Sequence, residues 1–431
     1  MPSRSPATGS ARARRHITRA DPAGRAKNTS RPVVPVRTVV IHLCGIIWFG
    51  GIPAQREGQV LKQDGTTAHK GVRRGWRGLA IGLMALAGLS GCATRMVPAA
   101  RTQPMAHIPV PPRPLPVVVA RPPEAPRALN AIIQSLGAGF DGQVGIAIRR
   151  IDQPWVIAFD GERKFPQQSV SKLWVAMTLL DQVDQGRIRM ADPVILKRDD
   201  LTLFHQPISS LIGADGYATS IAGLFGRAMT ASDNTANDAL LRRIGGPEAV
   251  RRFFAAKRIT DIRFGPGERL LQSRIAGIEW KQEFSQGNAF YTARSALPME
   301  ARQKALEAYL ADPIDGASPI GVVTALARLQ RGELLSLSST SQLIAIMRAA
   351  TTGPQRIRGG VAPGWLYGHK TGTGQELQGR ATGFNDIGIL TAPDGTHYAV
   401  AVMIGATRRG IPERQSLMQA VSRAIIANHR R

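Results

Sequence analysis

Strand-forming sequence is confined to the two ends of the globular part of this chain, and that separation constrains the fold more than any other feature. Gly142–Ile151 and Pro154–Asp160 read as two strands around a polar turn. Near the C-terminus, Gly383–Leu390 and His397–Ile404 read as strands joined by Pro393-Asp394-Gly395, a hairpin turn. Ala128–Leu136 carries apolar residues at helical spacing, and Arg414–Asn428 reads as a closing amphipathic helix. The long middle is mostly helical and has no internal repeat. A sheet can therefore form only by bringing both ends together. The expected fold is α/β (α+β): an antiparallel sheet with flanking helices from about 128–165 and 362–431, plus an all-helical lobe over about 166–361, with a functional cleft between them.

What precedes residue 128 reads as address and tether. Residues 98–126 contain ten prolines, a composition that favours polyproline II and acts as a semi-rigid spacer. Arg73-Arg74-Gly75-Trp76-Arg77 precedes the apolar run Gly78–Gly88 and the ending Leu89-Ser90-Gly91-Cys92. A basic segment, a short apolar run and small residues at a cleavage point define a secretory signal. The ending resembles a bacterial lipobox, which implies cleavage before Cys92 and lipid on its thiol. The expected domains are a non-native or disordered extension over 1–71, a lipoprotein signal peptide over 72–91, a proline-rich tether over 92–127 and a catalytic domain over 128–431. Val72 would be the initiator if its codon is GTG; a cytoplasmic extension is the alternative for 1–71.

Charge and cysteine content exclude several classes. The formal net charge is +26, which by itself suggests an anionic partner. Fifteen basic and three acidic residues fall in 1–91, leaving 41 and 27 for the remaining 340. The body is thus only mildly basic, and no nucleic-acid-binding signature accompanies it. Cys44 and Cys92 are the only cysteines, so neither a disulfide scaffold nor a cysteine zinc cluster is available. No apolar run reaches the roughly 18 residues of a membrane-spanning helix.

Three short motifs carry chemistry. Ser169-Val170-Ser171-Lys172 precedes the helical run Leu173–Val183. At the start of a helix, residues i and i+3 share a face, so Lys172 can reach the Ser169 hydroxyl. A serine is a poor nucleophile until a base takes its proton, and a helix N-terminus adds a positive field. Ser232-Asp233-Asn234 can supply a hydroxyl that passes a proton to a leaving nitrogen; its bland reading is a helix-capping turn. His369-Lys370-Thr371-Gly372-Thr373-Gly374 can present a cation, a hydroxyl and open backbone to a carboxylate; its bland reading is an ordinary strand end. Gly372 lets the backbone come close, and a following N–H could complete an oxyanion hole.

The three motifs together, in this order and with these flanks, resemble the penicillin-recognising serine enzymes and specifically the class A serine β-lactamases, here in lipoprotein form. A fourth element fits: Glu268-Arg269-Leu270-Leu271-Gln272 falls 36 residues after Ser232, where that family has Glu-x-x-Leu-Asn. The resemblance implies roles by position. Ser169 would be the acylated nucleophile, Lys172 its proton-relay base, Ser232 the shuttle to the ring nitrogen and Glu268 the activator of the deacylating water. Asn234 would hold the side-chain amide, with Gln272 beside the water. Lys370, Thr371, Gly372 and Thr373 would bind the carboxylate side, and the Ser169 and Thr373 N–H groups would form the oxyanion hole. Arg380, Arg408 or Arg409 could add the second cation.

The chain departs from the family at Gln272, which replaces asparagine; at Asp238, where a structural asparagine is usual; and in about 35 extra residues between Gln272 and Ser318-Pro319. That insert, at about 273–315, contains an expected helix over Pro298–Ala311, with proline at its start.

The resemblance implies no metal or organic cofactor, β-lactams as small-molecule partners, a monomer, and a place on the periplasmic face of a bacterial membrane through the lipid anchor. The rival readings are a D-alanyl-D-alanine peptidase or transpeptidase, and a penicillin-binding lipoprotein. Glu268 discriminates, because a base for fast deacylation favours the β-lactamase. A Ser-His-Asp hydrolase is disfavoured, since no G-x-S-x-G occurs, and there is no P-loop.

Overall fold

A computed structural model describes residues 124–429. The signal segment, Cys92, the tether to residue 123 and the 1–71 extension lie outside the described residues. In chain order the elements are α1 (Arg127–Ala138), β1 (Gln143–Arg150), β2 (Val156–Phe159), α2 (Lys172–Asp184), β3 (Pro193–Leu196), β4 (Tyr217–Ser220) and α3 (Ile221–Gly226). There follow α4 (Asn234–Arg243), α5 (Gly246–Lys257), α6 (Glu268–Ala276), α7 (Ala289–Ala296), α8 (Met299–Ala311), α9 (Pro319–Gln330) and α10 (Leu337–Arg348). The chain closes with β5 (Leu366–Thr373), β6 (Glu376–Leu377), β7 (Arg380–Thr391), β8 (His397–Thr407) and α11 (Ile411–Ala427).

The main sheet is antiparallel, in the order β2-β1-β8-β7-β5, with β6 pairing β7. The expected sheet from both chain ends is therefore present, and its central pair, β1 with β8, joins them. Its two faces are covered by different helices. One face presents Ile146, Ile148, Val400, Val402 and Ile404 to Leu129 and Ile133 of α1 and to Leu417, Met418, Val421 and Ile425 of α11. The other presents Ala147, Ala399 and Ala401 to Val322, Val323 and Leu326 of α9. Small residues there let α9 lie close to the sheet. Gly145 serves the same contact, since a Cβ on it would sit 2.3 Å from the Phe165 ring and 2.7 Å from Pro319.

Two expectations need correction. The lobe over 166–361 is not all-helical, because β3 and β4 pair in it as a two-stranded ribbon. And α9, although it falls inside that range, covers the inner face of the sheet. Its apolar stripe is made by Val322, Val323 and Leu326, with Ser318 capping Gly321 N–H and Pro319 in the first turn.

At the centre of the helical lobe is α2, whose Leu173, Trp174, Val175, Ala176, Met177, Leu179 and Leu180 are all buried. A helix apolar all round must be enclosed, and helices α4, α5 and α10 surround this one. The insert forms α7 and α8. Pro298 stands just before α8, as its N-cap residue, and the helix begins at Met299.

Candidate active site

The Ser169-Val170-Ser171-Lys172 motif lies on the tight turn feeding α2. Gln168 has φ +55°, in the left-handed region, directly before Ser169. A non-glycine residue held there costs energy that its surroundings must supply. The turn abuts the edge strand β5: a Cβ on Gly372 would lie 2.3 Å from the Gln167 carbonyl oxygen and 3.2 Å from Val170 N. Only glycine permits that contact. It brings Lys370, Thr371 and Thr373 alongside Ser169.

Ser169, Ser232, Asn234, Glu268, Gln272, Thr371 and Thr373 line one cavity of about 310 Å³. The buried Lys172 Nζ donates to Ser169 Oγ at 2.7 Å, to Asn234 Oδ1 at 2.8 Å and to Glu268 Oε1. Glu268 is itself 4% exposed. Lys370 Nζ donates to Ser232 Oγ at 2.8 Å and to its neighbour's carbonyl, Thr371 O, at 2.9 Å. Burial first, then the charges of Lys172 and Arg356, hold Lys370 well below the usual lysine range. The geometry thus brings together Ser169, Lys172, Ser232, Asn234, Glu268, Gln272, Lys370, Thr371, Gly372 and Thr373.

Ser232-Asp233-Asn234 carries both of its readings at once. Ser232 has φ +60° and faces the cavity. Asp233 is the N-cap of α4, accepting from Ala236 N–H at 2.9 Å, while its second oxygen accepts from Ile208 N–H at 2.6 Å. Asn234 Nδ2 donates to Leu203 O at 2.7 Å, which fixes its amide.

The second cation is not where the sequence suggested. Arg380 begins β7, pairing with Leu377, and does not line the cavity. Arg408 donates to Gln378 O, and Arg409 pairs with Asp141. The cation in the cavity wall is Arg356, 7% exposed. It donates to Gly372 O at 2.9 Å, to Asn385 O at 2.6 Å and to Thr373 Oγ1 at 2.6 Å. Its guanidinium lies 3.8 Å from the centre of the Phe384 ring, and burial brings it down to about 10. It sits on the loop before β5, inside no motif. Its nearest sequence signal is the turn-forming Thr352-Gly353-Pro354 just ahead of it.

Asp238 has a definite task. Its carboxylate accepts from Glu268 N–H at 3.1 Å and Arg269 N–H at 3.5 Å, so it caps the helix whose first residue is Glu268. Burial, and then the charge of Glu268, push its carboxyl up to about 6. Phe204, His205 and Thr352 also line the cavity, and none belonged to a recognised pattern. Among the described residues, no group of three or more His, Cys, Asp or Glu side chains is placed to hold a metal ion.

Known proteins resemble this chain over most of the described residues. Residues 127–429 match the model of the beta-lactamase enzyme family. The extended-spectrum beta-lactamase PER-1 of Pseudomonas aeruginosa is 28% identical over 279 residues, covering 64% of this chain and 79% of that protein. Beta-lactamase VEB-1 of the same organism is 25% identical, covering 65% and 83%. Among solved structures, the ancestral class A beta-lactamase GNCA aligns with a TM-score of 0.55 and 26% identity, over 70% of this chain and all of that one. A beta-lactamase from Chitinophaga pinensis aligns at 0.57 and 25%, over 70% and 99%.

Proposed function

The chain belongs to the β-lactamase enzyme family and has the fold of its class A members, and on that premise we propose that it hydrolyses the β-lactam amide through an acyl-enzyme on Ser169. Ser169 Oγ attacks the lactam carbonyl carbon, and its proton goes to Lys172 Nζ. In the arrangement described, Nζ donates to three acceptors, the full complement of an ammonium. It can take the serine proton only by releasing one, and Glu268 Oε1 is the carboxylate in contact. Breaking the C–N bond leaves a ring nitrogen that takes its proton from Ser232 Oγ. The proton that Ser169 gave up returns from Glu268 through Lys172 and across the cavity to replace it on that oxygen, restoring the Glu268 carboxylate. Because Lys370 already donates to Ser232 Oγ, the Ser232 hydrogen is free to turn into the cavity.

Asn234 holds the substrate's side-chain amide in this reading. Lys370, Thr371 and Thr373 bind its carboxylate, with Arg356 in the role first given to Arg380. The Ser169 and Thr373 N–H groups stabilise the oxyanion. With its carboxylate restored, Glu268 takes a proton from the water that cleaves the ester, with Gln272 beside it. The departing Ser169 Oγ takes a proton from Lys172, which recovers one from Glu268.

One observation carries the reading: a single buried amine, Lys172 Nζ, joins the nucleophile's hydroxyl to a buried carboxylate, Glu268. That carboxylate also favours a β-lactamase over the cell-wall peptidase and the penicillin-binding lipoprotein. The test is turnover of a chromogenic cephalosporin, with the adduct located by mass spectrometry. The expected adduct is on Ser169 and short-lived. An adduct on another residue would reject the site, and one lasting hours would favour the peptidase.

The N-terminal sequence supports a protein that is exported, cleaved before Cys92 and lipid-anchored on the periplasmic side, with the proline-rich segment as spacer. No helix among the described residues is long and apolar enough to cross a membrane. A monomer acting on β-lactams, without nucleic acid, completes the proposal.

A further inference from the structure

The insert between Gln272 and Ser318 sends two side chains into a line of hydrogen bonds that passes directly beside Glu268. At one end, Arg294 of α7 donates through Nη1 to Gln375 Oε1 at 3.1 Å. Gln375 Nε2 donates to Gln272 Oε1 at 3.1 Å. Gln272 Nε2 donates to Gln168 Oε1 at 2.9 Å and, on its other hydrogen, to Glu268 Oε2 at 3.3 Å. Gln168 Nε2 donates to Tyr309 Oη of α8 at 2.7 Å, and the Tyr309 hydroxyl donates to Asp315 Oδ1 at 2.9 Å.

The direction of these bonds is forced. Arginine can only donate, and an ionised carboxylate can only accept. Between a pure donor at one end and a pure acceptor at the other, each of the three amides has one orientation that satisfies both neighbours. Bonds aligned in one sense also reinforce one another. Reversing any amide would set oxygen against oxygen on one side and N–H against N–H on the other. Each such buried mismatch leaves a donor and an acceptor unsatisfied, which a packed interior penalises.

We propose that the insert is a positioning element for deacylation: Tyr309 and Arg294 set the amide of Gln272 so that its NH₂ faces Glu268. This holds the Glu268 carboxylate as an acceptor beside the ester. It also ties Gln168, the strained residue before the nucleophile, into the same line, and Asp315 Oδ2 accepts from the Gln168 backbone N–H at 2.8 Å. Burial, and then the charge of Asp315, raise the Tyr309 hydroxyl well above its ordinary value, so it keeps the proton it donates. Burial lifts Asp315 only to about 6, leaving it an acceptor at neutral pH. Neither Tyr309 nor Arg294 lines the cavity; both act through Gln272.

The inference rests on the acyl-enzyme reading above, and the experiment separates the two. Wild type, Tyr309→Phe and Arg294→Met are compared with a chromogenic cephalosporin by pre-steady-state kinetics, with acyl-enzyme followed by mass spectrometry. Misplacing the amide by a fraction of an ångström is expected to slow deacylation about 10- to 100-fold. Acylation should change less than about threefold on the same grounds, so that kcat and KM fall together and acyl-enzyme accumulates. Equal loss in both steps would show a merely structural role and overturn the proposal, as would wild-type deacylation in both variants. Arg294→Met, at the half-buried end of the line, must show the same split even if Tyr309→Phe fails to fold. A wild type that never acylates would instead overturn the reading of the site itself.

Discussion

Replacing Asp238 by asparagine should stabilise the protein, and by an amount that grows with pH. The folded-state carboxyl titrates at about 6, against about 3.8–3.9 for an exposed aspartate. Folding therefore favours the protonated form. The group is least costly below pH 4, and its cost rises as pH climbs through 6, where the folded state must hold a buried charge. The linkage relation puts that cost at about 1 kcal/mol at pH 4.5 and about 3 kcal/mol at pH 8. Asparagine keeps one oxygen for Glu268 N–H and loses the longer contact to Arg269 N–H, a loss of about 1 kcal/mol at either pH. The variant should therefore be nearly neutral at pH 4.5 and about 2 kcal/mol more stable at pH 8. Urea unfolding of both proteins at the two pH values measures this directly. A difference that stays constant from pH 4.5 to 8, or a variant less stable at pH 8, would refute the electrostatic account and make Asp238 a simple cap.

Other outcomes follow from the same geometry. Glu268→Ala should leave measurable acylation while acyl-enzyme accumulates, with deacylation slowed about 10²- to 10⁴-fold as for a positioned general base; equal deacylation rates in variant and wild type would reject the mechanism. Arg356→Ala should raise KM for carboxylate-bearing substrates and lower thermal stability, since it strips donors from Gly372 O and Asn385 O, whereas Arg380→Ala should leave KM within about twofold, a surface-site effect. Steady-state kinetics of the pair decides which arginine serves the site. Cys92→Ser should move the protein from the membrane to the soluble fraction on cell fractionation, and an unchanged distribution would remove the lipid anchor.

Much of the candidate site could be read from sequence because its parts are local. Ser169 and Lys172 meet through helical spacing alone, and Gly372 marks a strand that must come close to another backbone. Asp233 shows that the bland reading of a motif and the functional one need not compete: one residue caps the helix while its neighbours face the cavity. What escaped was whatever acquires meaning only in three dimensions. Gln168, Gln272 and Gln375 are ordinary amides until the fold places them end to end. Arg356 reaches the cavity from a loop without periodicity, while Arg380 only looked better placed because it follows Gly374 in sequence. The β3–β4 ribbon has four residues per strand, too short for alternation to stand out. Helix α9 lies in the stretch read only as mostly helical, and nothing in its own residues says which layer it covers.

The pairing of β1 with β8 also governs how the chain reaches its fold. These strands are the middle of the sheet, and they lie about 250 residues apart in sequence, so the entropy of closing that loop must be met before either gains a partner. Until β8 has been synthesised, β1 has only the four-residue β2 beside it, and a lone hairpin is marginal in water. The two layers of the molecule thus mature at different times. Helices α2 to α5 can gather from neighbouring sequence, whereas the sheet, and with it the Lys370 edge of the cavity, waits for the last fifty residues. Under the export proposed above, a chain threaded through a membrane before folding gains from that delay: the strand that completes the sheet is among the last to arrive.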